Sequence, residues 1–203
     1  MPARLFLLPQ HTKRTLPLIT PKTKSLNKPV TISKTEKKAP SPLKLPRHVE
    51  ADPRHEAIEK ALRDKQLPLW EKGILHVARV EFSPALENAL LGAFRARQLE
   101  RGLEKIEKVL DQEKKGLEAL SKKQGTAPAQ RVSRILLVAN DGAERFNRAC
   151  ESTTLRHSDR VLCVVVEAPA ARLGEKLFGP EKGVKAVLVS DREAVTHVLF
   201  SLA

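Results

Sequence analysis

Three apolar runs near the carboxyl end restrict the fold more than any other feature: "RILLVA" (134–139), "RVLCVVVE" (160–167) and "VKAVLV" (184–189). Continuous apolar stretches of this length, rich in valine, read as strands buried on both faces. Between and after them, "GAERFNRACESTTLRH" (142–157), "PAARLGEKLF" (169–178) and "DREAVTHVLFSLA" (191–203) read as helices. Pro169 suits the first position of the second helix, and Gly179-Pro180 stops it. In the third, Ala194, Val195, Val198, Leu199 and Leu202 share one face and Asp191 is placed to cap it. Strand and helix alternating three times predict an α/β fold, a three-layer α/β/α sandwich with helices on both faces of the sheet.

Upstream, "HEAIEKALRDK" (55–65) is a short amphipathic helix, and "GILHVARVEF" (73–82) is a strand or a helix end. Ser83-Pro84 is a clean helix start, a capping hydroxyl followed by proline, and Leu86, Ala89, Leu90, Ala93 and Phe94 continue the buried stripe. The period then changes. Leu99, Leu103, Ile106, Leu110, Leu117 and Leu120 form a heptad seam with Glu113 in the vacant place. So narrow a stripe suits pairing with one other helix better than lying under a sheet. Gly102 and Gly116 weaken that helix by about 1 kcal/mol each relative to alanine. "KKQGTAPAQR" (122–131) ends it as a loop. The organisation expected is a Pro-rich arm over 1–50, the first part of an α/β domain over 51–98, a coiled-coil-like helical insertion over 99–130 and an α/β/α core over 131–203.

Charge separates the arm from the rest. The chain has 203 residues and a net charge of +13, of which residues 1–50 carry +9 together with 8 of the 14 prolines. Such a segment buries too little apolar surface to offset its ordering entropy and is expected to be disordered. It is either a solvated linker or a contact to a polyanion, and the second is favoured because cationic arms gain by displacing counterions from phosphate backbones. Cys150 and Cys163 are the only cysteines. With no CxxC pair and no histidine at ligand spacing, neither a metal site nor a disulfide framework is expected, and the default is a reduced, intracellular protein. No run approaches the ~18 apolar residues of a membrane span. The start, "MPARLFLLPQHTKRT", has the composition of a transit peptide, but Pro2, Pro9 and Pro17 spoil an amphipathic helix; a mitochondrial address stays open.

Signs of catalysis are thin. "LGEKLFGPEKG" has glycines at 174, 179 and 183 but neither the GxGxxG fingerprint nor a P-loop lysine, and no GxSxG is present. Asp141, at the end of an apolar strand, has a structural use: Asp-Gly-Ala-Glu places a carboxylate at the cap of the next helix and Glu144 three positions on. No catalytic residue, metal or cofactor is expected. A small phosphate-using enzyme with Asp141 at its site is the lesser alternative.

The order "RILLVANDGAERFNRACE", "VVVEAPAARLGEKLFG" and "GVKAVLVSD", preceded by "VARVEFSPALENALLGAFR" (77–95), resembles the superfamily of the archaeal kink-turn-binding ribosomal protein, the L seven Ae type. Ala139-Asn140-Asp141, Leu173-Gly174-Glu175 and Val189-Ser190-Asp191 fall where that family has its short motifs. Ser83-Pro84 stands where the family has glycine at a helix entry, and Glu87-Asn88 reverses its Asn-Glu order. The resemblance implies a non-catalytic RNA-binding subunit of a ribonucleoprotein (a ribosome, a guide particle or RNase P/MRP), with the nucleus or nucleolus as its expected compartment. It also implies two contact surfaces: Ser83, Glu87 and Asn88 at the entry of the early helix, and Glu167, Ala168, Pro169 and Ala170 in the loop after the second strand. Arg95, Arg97 and Arg101 extend the early helix with cations, and Arg172 adds one on the Leu173-Gly174 helix. Structured RNA is the expected partner, with other protein subunits held through 99–120. A rival reading makes the heptad helix the working part of a scaffold protein.

Overall fold

A computed structural model describes residues 44–125 and 130–203. The arm up to residue 43 lies outside the described residues. The last part of the segment expected as arm does not: Val132 donates its N–H to the Lys44 carbonyl (2.8 Å), and Leu45 and Val49 are buried. Val49 sits in a single-turn helix, α1 (Arg47–Glu50), so residues 44–50 of the expected arm belong to the folded domain.

Six strands form one sheet: β1 (Gln66–Pro68), β2 (His76–Glu81), β3 (Leu99–Arg101), β4 (Arg134–Ala139), β5 (Val161–Glu167) and β6 (Ala186–Val189). Their spatial order is β1-β2-β5-β4-β6-β3. The central strands β2, β5 and β4 are parallel, β6 lies antiparallel to β4, and the three-residue strands β1 and β3 close the edges antiparallel to their neighbours.

Strand side chains alternate between faces, and each face finds its own cover. Ile135, Leu137, Val164, Val166, Val187 and Val189 point to one side. There they meet α2 (His55–Asp64), α3 (Pro84–Arg95), α6 (Ala170–Phe178) and α7 (Arg192–Phe200) through Ile58, Leu86, Leu90, Leu173 and Leu199. Leu136, Val138, Cys163, Val165 and Leu188 point to the other side, where α4 (Leu103–Gln124) and α5 (Glu144–Arg156) cover them with Ile106, Leu110 and Cys150. The expected three-layer α/β/α sandwich is present.

One expectation needs correction: over its first half the heptad seam does lie under a sheet. Leu99 starts edge strand β3, paired with Val189, and the first half of the heptad seam packs its own sheet through the fully buried Ile106 and Leu110. A heptad stripe is about as wide as one sheet-facing helix needs, so the period alone does not tell a sheet from a second helix. The seam clears the sheet only at Leu117 and Leu120, the latter 52% exposed.

The antiparallel setting of β6 has a local cause. Helix α6 does not complete a crossover to the far end of the sheet. Its return loop doubles back along it, with the Val184 N–H on the Ala170 carbonyl (2.8 Å), so the chain re-enters the sheet from the end it left. Gly174 permits this: a Cβ there would lie 1.5 Å from the Lys182 carbonyl oxygen.

Candidate nucleic-acid interface

The pairing of β2 with β5 aligns Glu81 with Glu167. The segments leaving these two strands therefore emerge at one rim of the sheet, although more than eighty residues separate them in sequence. After β2, Ser83 turns the chain into α3, its Oγ accepting the Leu86 N–H (3.2 Å). After β5, Ala168 is fully buried, Pro169 stands just before α6, and the Ala168 carbonyl accepts the Asn140 N–H (3.2 Å). Ser83, Glu87 and Asn88 thus share a rim with Glu167, Pro169 and Arg172. Asn88, Glu167, Pro169 and Arg172 are exposed; Ala168 and Ala170 turn inward and shape the loop from beneath.

Asp141 belongs to this rim, in a role its local spacing does not indicate. That spacing predicts a cap for the next helix, but α5 is entered at Ala143 with no side-chain cap. The Asp141 carboxylate instead accepts the Ala170 N–H (2.9 Å), capping α6 twenty-nine residues on. Asn147 serves the α5 turn, donating from Nδ2 to the Gly142 carbonyl (3.1 Å). One consequence is electrostatic. The first turn of α6 already holds a carboxylate, which offsets the partial positive charge that would otherwise draw a phosphate there. Ser83 likewise takes one of the open N–H groups of α3, and Pro84 has none.

Attraction for an anion at the rim therefore rests on side chains. Arg172 stacks over the Phe82 ring (5.6 Å), which keeps its guanidinium at the surface. Lys176 pairs with Glu87 (3.3 Å), and Arg79 with Glu167 (3.5 Å). Asn140 Nδ2 also reaches Glu167 (3.4 Å). These carboxylates hold extended polar side chains in fixed positions, an arrangement suited to reading polar edges rather than to binding charge alone. Sequence reasoning misses Arg79, Asn140 and Lys176 as contributors, since only the register of β2, β5 and β4 gathers them.

Arg95 and Arg97 are not part of this rim. Arg95 ends α3 and Arg97 follows its cap; at 1.5 Å per residue the helix carries them about 18 Å from Ser83. There the Gln98 carbonyl accepts the Ser190 N–H (2.9 Å), at the opposite end of the sheet. Arg97 has φ 59, the left-handed position after a helix. The Gln98 N–H on the Ala93 carbonyl (2.8 Å) and the Arg97 N–H on that of Phe94 (2.9 Å) complete a Schellman termination in the place usually taken by glycine. A cleft of about 1080 Å³ also opens at that far end, bordered by arginines and by Leu117 and Leu120, with no contribution from the 139–142 turn. Among the described residues no three His, Cys, Asp or Glu side chains gather as a metal site would require, and no helix is long and apolar enough to cross a membrane.

No family model matches the chain, and no curated protein matches it. Solved structures give distant likenesses. One is a protein with unknown function from Bacillus halodurans, at 19% identity and TM-score 0.40, covering 59% of this chain and 96% of that one. Another is the Giardia lamblia 15.5kD RNA binding protein, at 12% identity and TM-score 0.38, covering 58% of this chain and 81% of that one. Likeness this slight says nothing of a ligand.

Proposed function

We propose that the chain is a non-catalytic RNA-binding subunit of a ribonucleoprotein, one that reads folded RNA with the rim formed by the α3 entry and the β5–α6 loop. The observation that carries this reading is the parallel pairing of Glu81 with Glu167, which sets side by side the two segments that the resemblance to the kink-turn-binding superfamily names as contact surfaces. The basic arm would add sequence-independent affinity. RNase P/MRP-like processing or ribosome assembly, in the nucleus or nucleolus, is the most concrete setting for such a subunit. The engagement of Asp141 with the Ala170 N–H speaks for a capping role and against a general base at that strand end.

Binding of the full chain to a kink-turn RNA and to a straight duplex tests the proposal. Asn88→Asp and Arg172→Glu should each weaken kink-turn binding by at least about tenfold, in keeping with loss of one polar or charged contact. Unchanged affinity in both variants would remove the rim from the interface.

A further inference from the structure

The cleft at the far end of the sheet has three properties that the rim does not share. The first is an excess of positive charge around one buried guanidinium. Five arginines and two histidines border it against three acids, Glu113, Asp159 and Glu193. Glu113 is divided between two of the arginines, bonding Arg134 (2.9 Å) and pairing with Arg160. The Arg160 side chain is only 8% exposed, and its Nε has no hydrogen-bond acceptor. Arg192, at the start of α7, adds its charge nearby, and burial together with that charge works against the Arg160 cation. A guanidinium so enclosed gains from any carboxylate brought to it.

The second property is an apolar wall. Leu117 and Leu120 continue the heptad seam of α4 past the point where Ile106 and Leu110 enter the sheet. The third is Gly116, which lines the cleft beside them. A glycine inside a helix weakens it, and packing does not account for this one: a Cβ there would meet nothing within 4 Å. What its bare backbone does provide is room for another chain to approach α4 closely.

We propose that this cleft receives an acidic amphipathic segment of a partner protein, its apolar side chains laid on Leu117 and Leu120 across Gly116 and its carboxylates turned to Arg160 and Arg192. The inference does not rest on the RNA reading and concerns the opposite end of the molecule. Nucleic acid fits less well, because a phosphodiester would leave the leucine wall bare and no Phe or Trp borders the cleft for base stacking. A second copy of this chain, or its own basic arm, would bring more positive charge to a cationic cleft in a protein already at +13.

The test uses the full chain and a fluorescent helical peptide of about four turns, with leucines at heptad spacing and glutamates elsewhere. An all-glutamate peptide of equal length and an RNA oligonucleotide serve as competitors. The amphipathic peptide should saturate, and both Gly116→Leu and Arg192→Glu should weaken it by at least about tenfold. Gly116→Leu should do so while raising Tm, which separates a filled groove from a damaged fold. RNA affinity should not change in Gly116→Leu, so the inference and the rim reading fail separately. Absence of saturation would overturn the proposal, as would equal binding of the all-glutamate peptide with no effect of Gly116→Leu. Displacement of the amphipathic peptide by RNA, or crosslinks from residues 1–43 or from a second copy into the cleft, would assign it to another occupant and overturn it equally.

Discussion

Glu151 shows how one side chain fixes a piece of the fold. Buried on α5, it accepts hydrogen bonds from Trp70 Nε1, the Ile74 N–H and the Leu75 N–H, each at 2.7 Å, and so ties the β1–β2 connection to α5. Glu151→Gln would turn an amide donor toward one of these donors and leave it unpaired. The expected cost is about 1–3 kcal/mol, read from the urea midpoint. His157 makes the opposite kind of contribution. Its side chain is fully buried, with Nε2 3.1 Å from Asp111 and Nδ1 unpartnered. Burial holds its pKa below the ordinary 6.5, outweighing the pull of Asp111; Lys114 and Arg156 act in the same direction as burial. The folded chain then binds fewer protons than the unfolded one, so this stability is complete above about pH 6.5 and is lost as the pH falls toward the depressed value. Thermal melts should show Tm falling on acidification below about 6.5, and His157→Gln should flatten that dependence. Residues with local roles are legible in the sequence: Ser83 and Asp191 cap the helices directly after them, Asp191 through the Glu193 and Ala194 N–H groups. Asp141 and Glu151 are not, because their partners lie far along the chain and spacing carries no trace of them.

Among elements, the long apolar runs declare themselves. "RILLVA" is β4 residue for residue, and β5 begins one residue later than its run. The three-residue strands β1 and β3 escape notice because so short an edge has no period to detect. The orientation of β6 is hidden for a different reason: it depends on a close approach between α6 and its return loop that one glycine permits. Gly174→Ala should push the 179–185 loop away from α6 and destabilise the protein by about 1–3 kcal/mol in chemical denaturation, as overpacked sites do. Helix α4 teaches a similar lesson. Its seam is visible in the sequence, but only contact with β4, β5 and β6 shows that Ile106 and Leu110 serve the core while Leu117 and Leu120 do not.

At the scale of the whole molecule, the sheet has two dissimilar ends. The rim after β2, β4 and β5 offers exposed polar groups held by carboxylates, and the other end offers a cationic cleft beside an apolar wall. Sequence order groups Arg95 and Arg97 with Ser83 because they share a helix, and the length of that helix sets them apart. The two halves of the rim are recognisable by resemblance, while their adjacency comes only from the register of β2 on β5. The claim that matters most is that this rim, rather than the arm or the far end, carries the contact to folded RNA. Photocrosslinking the full chain to a structured RNA and mapping the adducts by mass spectrometry addresses it directly. Adducts should fall on Asn88 and on the Glu167–Arg172 loop and helix start, with or without others on residues 1–43. Adducts confined to the arm, or gathered around Arg160 and Arg192, would contradict it.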